Sequence, residues 1–179
     1  YLNSVADAVL KLFKDFNPNS KWIMQGWSPQ EHIVKAIPEE DLIILDISDA
    51  YYKQSQDAVK ECFWGYPYVV GNLHNFGGRI NLHGDLGLLA SNQFYNAVKL
   101  GKNIVGSGLF MEGLGQNPLY YDLAFEMPVH QEPVDLPAWL KDYSLRRYGA
   151  ESENAYKALM LLLENPYREG TNGVELSSI

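Results

Sequence analysis

The stretch Asn103–Gln116 carries one carboxylate, that of Glu112, in a loop of small residues. Ile104 and Val105 predict a buried strand before the loop, and Asn117-Pro118 predicts the start of a helix after it. Glycines that let the backbone turn or approach a ligand closely lie at Gly106, Gly108, Gly113 and Gly115. Catalytic groups of α/β barrels occupy such positions, between a strand end and a helix start. The alternative interpretation of Glu112 is a solvated loop acid.

Polar or aromatic groups also follow the other apolar runs that predict strands. The predicted strands are Lys21–Gln25, Leu42–Leu45, Tyr66–Val70 and a fourth at Ile104. The groups at their carboxyl ends are Gln25 and Trp27, Asp46 and Ser48, His74 and Asn75, and Glu112. Ligand sites of open α/β sheets and of barrels form at this edge. We therefore expect these side chains to share one site.

Segments with helical periodicity separate the predicted strands. Leu2 to Phe16 has apolar residues at i, i+3, i+4 and i+7 spacing, 33–37 is a brief helical face, and 86–98 predicts one further helix. Alternation of strand and helix predicts a parallel sheet with right-handed crossovers. Four strands in roughly 110 residues make half of an eight-stranded barrel, which takes about 250 residues. The sequence therefore predicts an α/β fold, the carboxyl-terminal half of a (β/α)8 barrel.

Only helices are predicted beyond Met127-Pro128. Asp135 predicts the N-cap of a helix that Gly149 ends, and a second helix is expected from about Ser152 to Glu164. Residues 165–179 are poorly patterned. These features predict a half-barrel domain over 1–128 and the start of an all-α domain over 129–179.

Composition narrows the function classes. The 179 residues are 46% hydrophobic and 20% charged, as in globular domains. A net charge of −8 opposes binding to nucleic acid. A lone cysteine, Cys62, excludes a disulfide within these residues. No apolar run predicts a membrane span or a signal peptide, and the helical start without methionine indicates a piece of a longer protein.

Cofactor and metal motifs are not matched. Gly106-Ser-Gly108 begins like a dinucleotide loop, but Met111 occupies the place of the third glycine. The histidines His32, His74, His83 and His130 show no i, i+4 pairing. We therefore expect neither a bound cofactor nor a metal site.

Three further side chains have two interpretations each. Trp27 either caps the barrel core or stacks on a sugar face. His74 is either a structural histidine or part of a ligand loop with Asn75 and Phe76. Asp46, which is costly in a buried strand without a hydrogen bond, is either scaffolding or a site group.

Five separated motifs together resemble those of the alpha-N-acetylglucosaminidases, glycoside hydrolase family 89. The motifs are Trp22-Ile-Met-Gln-Gly-Trp27, Leu45-Asp46, Leu73-His-Asn-Phe-Gly-Gly78, Gly106-Ser-Gly-Leu-Phe-Met-Glu-Gly-Leu-Gly-Gln-Asn117 and Arg146-Arg-Tyr-Gly149. They occur in the family's order and spacing, and they span nearly the whole chain.

This resemblance implies a degenerate (β/α)8 barrel followed by an all-helical domain. It implies exo-hydrolysis, with retention, of terminal alpha-linked N-acetylglucosamine, as in heparan sulfate, and a secreted, periplasmic or lysosomal location. The family's nucleophile carries over onto Glu112. Its sugar-pocket residues carry over onto Trp27, Leu73, His74, Asn75 and Phe76.

One family feature is absent from these residues. The general acid/base of the family lies in an Asn-Glu segment, and this sequence has no Asn-Glu pair. Asp46 and Asp49 are carboxylates near a strand end, but the resemblance assigns neither of them that role. The resemblance implies that the acid/base lies upstream of this chain's first helix, in the other half of the same barrel. The alternative function is a catalytically inactive carbohydrate-binding or scaffold fragment.

Overall fold

The computed structural model describes residues 2–47, 62–72, 82–91, 93–100, 103–110 and 117–168. These residues form two compact units. The first unit contains 2–47, 62–72, 97–100 and 103–110, and the second contains 82–91, 93–96 and 117–168. Both units contain fully buried apolar side chains.

The first unit contains a four-stranded sheet. Its strands are β1 (Trp22–Gln25), β2 (Leu42–Leu45), β3 (Tyr68–Asn72) and β4 (Ile104–Leu109). All three neighbouring pairs are parallel, and the spatial order is β1-β2-β3-β4. The predicted α/β fold with a parallel sheet is confirmed.

One face of this sheet is buried. Leu42 and Ile44 of β2 and Tyr68 and Val70 of β3 are almost wholly inaccessible to solvent. These residues alternate along their strands, so their side chains point to the same side. The opposite face is more open. Ile23 of β1, whose side chain points to that face, is 53% exposed.

Two helices precede β2. They are α1 (Leu2–Phe16) and α2 (Glu31–Val34). The ring of Phe13 meets that of Trp22 edge to face at 6.0 Å between centroids. Lys14 forms a salt bridge with Asp41, immediately before β2. These contacts hold α1 against the amino-terminal ends of β1 and β2.

The fourth strand differs from the predicted one. Gly106 and Gly108, predicted to lie in a loop, lie inside β4, because backbone pairing with β3 continues to Leu109. Val105, predicted to be buried, is 55% exposed and lies where the register between the two strands shifts. The extra residue at a register shift leaves the regular ladder, which accounts for this exposure.

The single helix predicted over 86–98 is also wrong. Two helices occupy this stretch, α3 (Leu86–Ala90) and α4 (Gln93–Leu100). The hydroxyl of Ser91, the C-cap of α3, donates to the carbonyl oxygen of Leu88 at 2.7 Å. A serine that bonds to a nearby carbonyl competes with regular helix hydrogen bonding.

Helices dominate the second unit. Beyond α3 they are α5 (Pro118–Glu126), α6 (Leu136–Tyr148) and α7 (Glu153–Glu164). Asp135 caps α6 by accepting a hydrogen bond from the amide of Ala138 at 2.9 Å. Gly149 ends α6 with a left-handed φ of 73°. Both predicted caps, and the expected second helix, are confirmed.

A polar cluster joins the end of α5 to α6. The indole N–H of Trp139 donates to Glu126 Oε2 at 2.9 Å, and His130 Nε2 lies 3.3 Å from Glu126 Oε1. Arg146 Nη2 lies 3.5 Å from Glu126 Oε2. Burial raises the pKa of Glu126, but the hydrogen bonds from Trp139 and His130 and the charge of Arg146 outweigh it, and the net pKa is lowered.

Candidate active site

The carboxyl end of β1 presents Trp27. The ladder between β1 and β2 continues one residue past β1, because the amide of Gly26 donates to the Leu45 carbonyl oxygen at 2.8 Å. A Cβ at residue 26 would lie only 2.5 Å from that oxygen, so this position requires glycine. Trp27 follows directly and is 51% exposed. The sugar-stacking and core-capping interpretations of Trp27 both stay predictions.

Asp46, at the carboxyl end of β2, lies on the buried face of the sheet. Its amide donates to the Val69 carbonyl oxygen at 2.9 Å, and its side chain shares the face of Ile44. Burial and then the nearby charge of Asp46 raise the pKa of Cys62 to about 11. Burial, then Cys62 and then Asp46 also raise the pKa of Tyr68. These surroundings favour the scaffolding interpretation of Asp46, and Cys62 is a neutral thiol at physiological pH.

The carboxyl ends of β3 and β4 meet at a pair of glycines. Gly71 and Gly108 are register partners in the sheet. The ring of Phe110 covers both: a Cβ on Gly71 would lie 1.9 Å from Phe110 Cε2, and a Cβ on Gly108 would lie 3.1 Å from Phe110 Cζ. Phe110 is the first residue after β4.

The remaining predicted site residues lie outside the described residues. They are Leu73, His74, Asn75, Phe76 and Glu112, and Asp49 lies outside as well. The described chain nevertheless leads directly to them. Leu73 follows Asn72, the last residue of β3, and Glu112 is two residues beyond Phe110.

In the second unit, Asn117 begins the described chain again after Glu112. Its side chain is 1% exposed. The amide Nδ2 donates to the His83 carbonyl oxygen at 2.9 Å, and Oδ1 accepts a hydrogen bond from the Tyr167 hydroxyl. The amide of Leu86 donates to the Tyr167 carbonyl oxygen at 3.3 Å. Asn117 is therefore a buried anchor at the start of α5.

Close packing accompanies this network. Gly84, next to His83, has a φ of 119° and faces the ring of Tyr120, where a Cβ would lie 2.4 Å from Cδ2. Burial raises the pKa of Tyr121, the next residue of α5, to about 12. The first turn of α5 thus packs with little free space.

Within the part of the chain that the structure describes, no cluster of three or more His, Cys, Asp and Glu side chains could hold a metal ion. Nor does any helix in the described ranges combine the length and apolarity that crossing a membrane requires.

The family model of the alpha-N-acetylglucosaminidase (NAGLU) tim-barrel domain matches residues 1–131 of this chain. The chain belongs to the alpha-N-acetylglucosaminidase family. An alignment of 183 positions with human alpha-N-acetylglucosaminidase shows 32% identity. It covers 93% of this chain and 24% of the human protein. The chain therefore spans about a quarter of that relative.

Solved structures of a family 89 glycoside hydrolase from Clostridium perfringens share the fold. The complex with PUGNAc has a TM-score of 0.79 at 23% identity and covers 94% of this chain and 19% of the other. A form carrying two Glu→Gln substitutions, in complex with its substrate GlcNAc-alpha-1,4-galactose, has a TM-score of 0.79 at 22% identity and covers 93% and 19%. The predicted family is confirmed.

Sequence reasoning missed three packed side chains, one just before residues 111–116, one just after them and one that bonds to the latter. They are Phe110, the side chain of Asn117, and Tyr167. Tyr167 is buried although 165–179 was predicted to be poorly patterned. A large aromatic residue directly after a helix end was the available signal, since such a side chain rarely stays exposed without a partner.

Proposed function

We propose that the whole protein is a retaining exo-glycosidase that removes terminal alpha-linked N-acetylglucosamine from glycans such as heparan sulfate, with Glu112 as its nucleophile. Membership of the family supports the reaction class. The observation that supports the role of Glu112 is its place in the sequence, two residues beyond Phe110, which follows the carboxyl end of β4.

Retention requires two carboxyl groups about 5–5.5 Å apart. In the first step the Glu112 carboxylate attacks the anomeric carbon while the bond to the leaving oxygen breaks and the acid gives that oxygen its proton. In the second step water, deprotonated by the same group, displaces Glu112. The double Glu→Gln substitution in the substrate complex of the C. perfringens relative agrees with a two-glutamate mechanism.

The upstream half of the barrel supplies the acid/base in this proposal. β1 and β4 form the two edges of the described sheet. Beside the β1 edge, the apolar side chain of Ile23 is 53% exposed. On α1, Phe16 is 93% exposed. Closing a barrel would pair both edges and cover such surfaces.

The sugar pocket of the proposal lies at the carboxyl edge. Trp27 offers an accessible ring at the end of β1, suited to stacking on a sugar face. Leu73, His74, Asn75 and Phe76 follow β3 and complete the pocket.

Glu112→Gln in the full-length protein tests the nucleophile. This change keeps the size of the side chain but removes its charge, so no glycosyl-enzyme forms and kcat is expected to fall by orders of magnitude with little change in melting temperature. Glu164→Gln, at the exposed end of α7, is the matched control and is expected to retain wild-type kcat. Wild-type turnover by Glu112→Gln would remove Glu112 from the mechanism.

Azide and a fluorinated slow substrate test the same role chemically. In Glu112→Gly, azide attacks the anomeric carbon from the vacated side as the leaving group departs, so partial rescue gives a glycosyl azide of inverted configuration. In the wild type, mass spectrometry after the slow substrate is expected to find the sugar on the peptide that contains Glu112. Label on another carboxylate would contradict the proposal.

The second candidate function is a carbohydrate-binding or scaffold fragment without catalysis. Absence of an Asn-Glu strand end from the complete chain would favour it. A complete chain that binds N-acetylglucosamine glycosides without hydrolysing them would establish this alternative.

A further inference from the structure

α6, α7 and the turn between them line a cavity that contains no residue of the sheet. Its volume is about 570 Å³. Small-molecule sites of proteins have volumes of roughly 300–1,000 Å³. Every lining residue lies between Lys141 and Tyr156, inside the second unit, whereas Trp27 belongs to the first. The cavity is therefore large enough for a ligand and is built from none of the predicted sugar-pocket residues.

The lining of this cavity is polar and carries an excess of negative charge. Leu145 is the one lining residue without a polar side-chain group. The charged groups are three carboxylates and one ammonium, those of Asp142, Glu151, Glu153 and Lys141. Lys157 Nζ lies 3.5 Å from Glu153 Oε1. Among the ion pairs of the described residues, none involves Asp142, Glu151 or Lys141. Two carboxylates therefore stand against one ammonium.

Ser144 lines the cavity from α6 with a hydroxyl that has no hydrogen-bond partner. The residue is only 3% exposed, and its Oγ bonds to no other group. A serine inside a helix often donates to the carbonyl oxygen four residues earlier, here that of Leu140, but Ser144 does not. A buried hydroxyl without a partner destabilises the fold, because it has given up its hydrogen bonds to water. A ligand in the cavity that bonded to this hydroxyl would remove that cost.

These features together select the chemistry of a ligand. In the described ranges, no three His, Cys, Asp and Glu side chains could hold a metal ion, so the carboxylates point to an organic ligand. A polar lining suits a ligand with several hydroxyl groups, and the excess carboxylate suits one positive charge. The half-buried ring of Tyr156 can pack against a sugar face or an ammonium group. Amino sugars combine these properties in one small molecule.

We propose that the cavity between α6 and α7 binds a small polyhydroxylated cation of the amino-sugar class. The ammonium group of the ligand binds to the carboxylates of Asp142 and Glu151. Its hydroxyl groups bond to Lys141 and to the Ser144 hydroxyl, which thereby gains the partner that the fold does not supply. This binding site is independent of the proposed role of Glu112.

Titration calorimetry on the full-length protein tests the class of ligand. The probe is glucosamine, and its controls are glucose, which lacks the ammonium, and butylamine, which lacks the hydroxyls. Glucosamine is expected to bind about tenfold more tightly than glucose and about fivefold more tightly than butylamine. Added salt is expected to weaken glucosamine binding and to leave glucose binding unchanged. Equal affinity for either control, or no binding of glucosamine, would overturn the inference.

Charge-removing variants locate the bound ammonium. Asp142→Asn and Glu151→Gln are each expected to weaken glucosamine binding about tenfold, because each removes a charge-assisted hydrogen bond. Glu164→Gln makes the same change at the exposed far end of α7 and is expected to leave the affinity unchanged. Glucosamine is also expected to slow hydrogen exchange over residues 141–156. Wild-type affinity in both cavity variants would mean that glucosamine binds elsewhere, and the inference would fail.

Ser144→Ala separates a role in binding from a role in the fold. Since the hydroxyl has no partner in the folded chain, its removal is expected to keep or raise the melting temperature. Glucosamine affinity is nevertheless expected to fall about three- to tenfold, because the ligand loses one hydrogen bond. Unchanged affinity would show that the hydroxyl is only an unsatisfied group. A strong fall in melting temperature would show that the fold already satisfies it, and either result would overturn the inference.

Discussion

Asn117→Ala removes both hydrogen-bonding groups of the most buried amide side chain that the structure describes. The His83 carbonyl oxygen loses its donor and the Tyr167 hydroxyl loses its acceptor. Each buried polar group left without a partner costs about 1–3 kcal/mol. Allowing for partial relaxation, the free energy of local opening is expected to fall by about 2–4 kcal/mol.

Native-state hydrogen exchange on the full-length protein measures this loss. The reporter amides are those of Leu86, bonded to the Tyr167 carbonyl oxygen, and of Tyr121, bonded to the Asn117 carbonyl oxygen. A loss of about 2–4 kcal/mol makes their exchange roughly 30- to 1,000-fold faster when exchange follows the opening equilibrium.

Two further variants calibrate the result. Tyr167→Phe removes one hydroxyl and leaves the Asn117 donor bonded, so its exchange is expected to quicken about tenfold, for about 1.4 kcal/mol. Asn154→Ala, on the exposed surface of α7, is the matched control and is expected to change the opening free energy by less than about 0.5 kcal/mol. Exchange at Leu86 and Tyr121 within threefold of wild type in Asn117→Ala would refute the reasoning.

Four other outcomes are expected. Trp27→Ala raises KM about fivefold, for about 1 kcal/mol of stacking, with little change in melting temperature; a large drop in melting temperature at unchanged KM would favour core packing. Gly149→Ala, at a φ of 73°, costs about 1–2 kcal/mol in denaturant unfolding, and no cost would mean that the left-handed turn relaxes. Glu126→Gln lowers the melting temperature at neutral pH. The pKa of Glu126 in the folded state lies below its ordinary value of 4.5. The difference in melting temperature between wild type and Glu126→Gln is therefore complete above pH 4.5 and disappears as the pH falls through the folded-state pKa. A difference that does not change with pH would contradict this reasoning. The isolated 179-residue chain, with two open strand edges, shows no cooperative monomeric melt, and observing one would contradict the half-barrel interpretation.

Features fixed by neighbouring residues were predictable from the sequence. The N-cap at Asp135 and the C-cap at Gly149 depend on side-chain and backbone preferences within one helical turn. The parallel sheet followed from the alternation of apolar strands and helical segments. The carboxyl-edge position of Trp27 followed from the end of β1.

Features that depend on contacts between distant residues were not predictable from the sequence. The glycines of β4 predicted a loop, but pairing with β3, more than 30 residues away, keeps Gly106 and Gly108 in the strand. The fit of Phe110 onto Gly71 joins positions 39 residues apart, and one sequence does not reveal such size complementarity. Tyr167 reaches Asn117 across 50 residues. Tertiary packing decides these positions, whereas local propensity decides the caps.

The spatial order of the sheet, β1-β2-β3-β4, is also the order in which the ribosome makes the strands. Each strand emerges next to a partner that is already complete, so the sheet can lengthen during translation without waiting for a distant segment. From β1 to β4 this takes roughly 4–18 s at about 5–20 residues per second. During that time the newest strand is always an open template for the nascent chains of neighbouring ribosomes on the same messenger RNA. Edge-to-edge pairing with a neighbouring chain is therefore open to this sheet as soon as its first strands form.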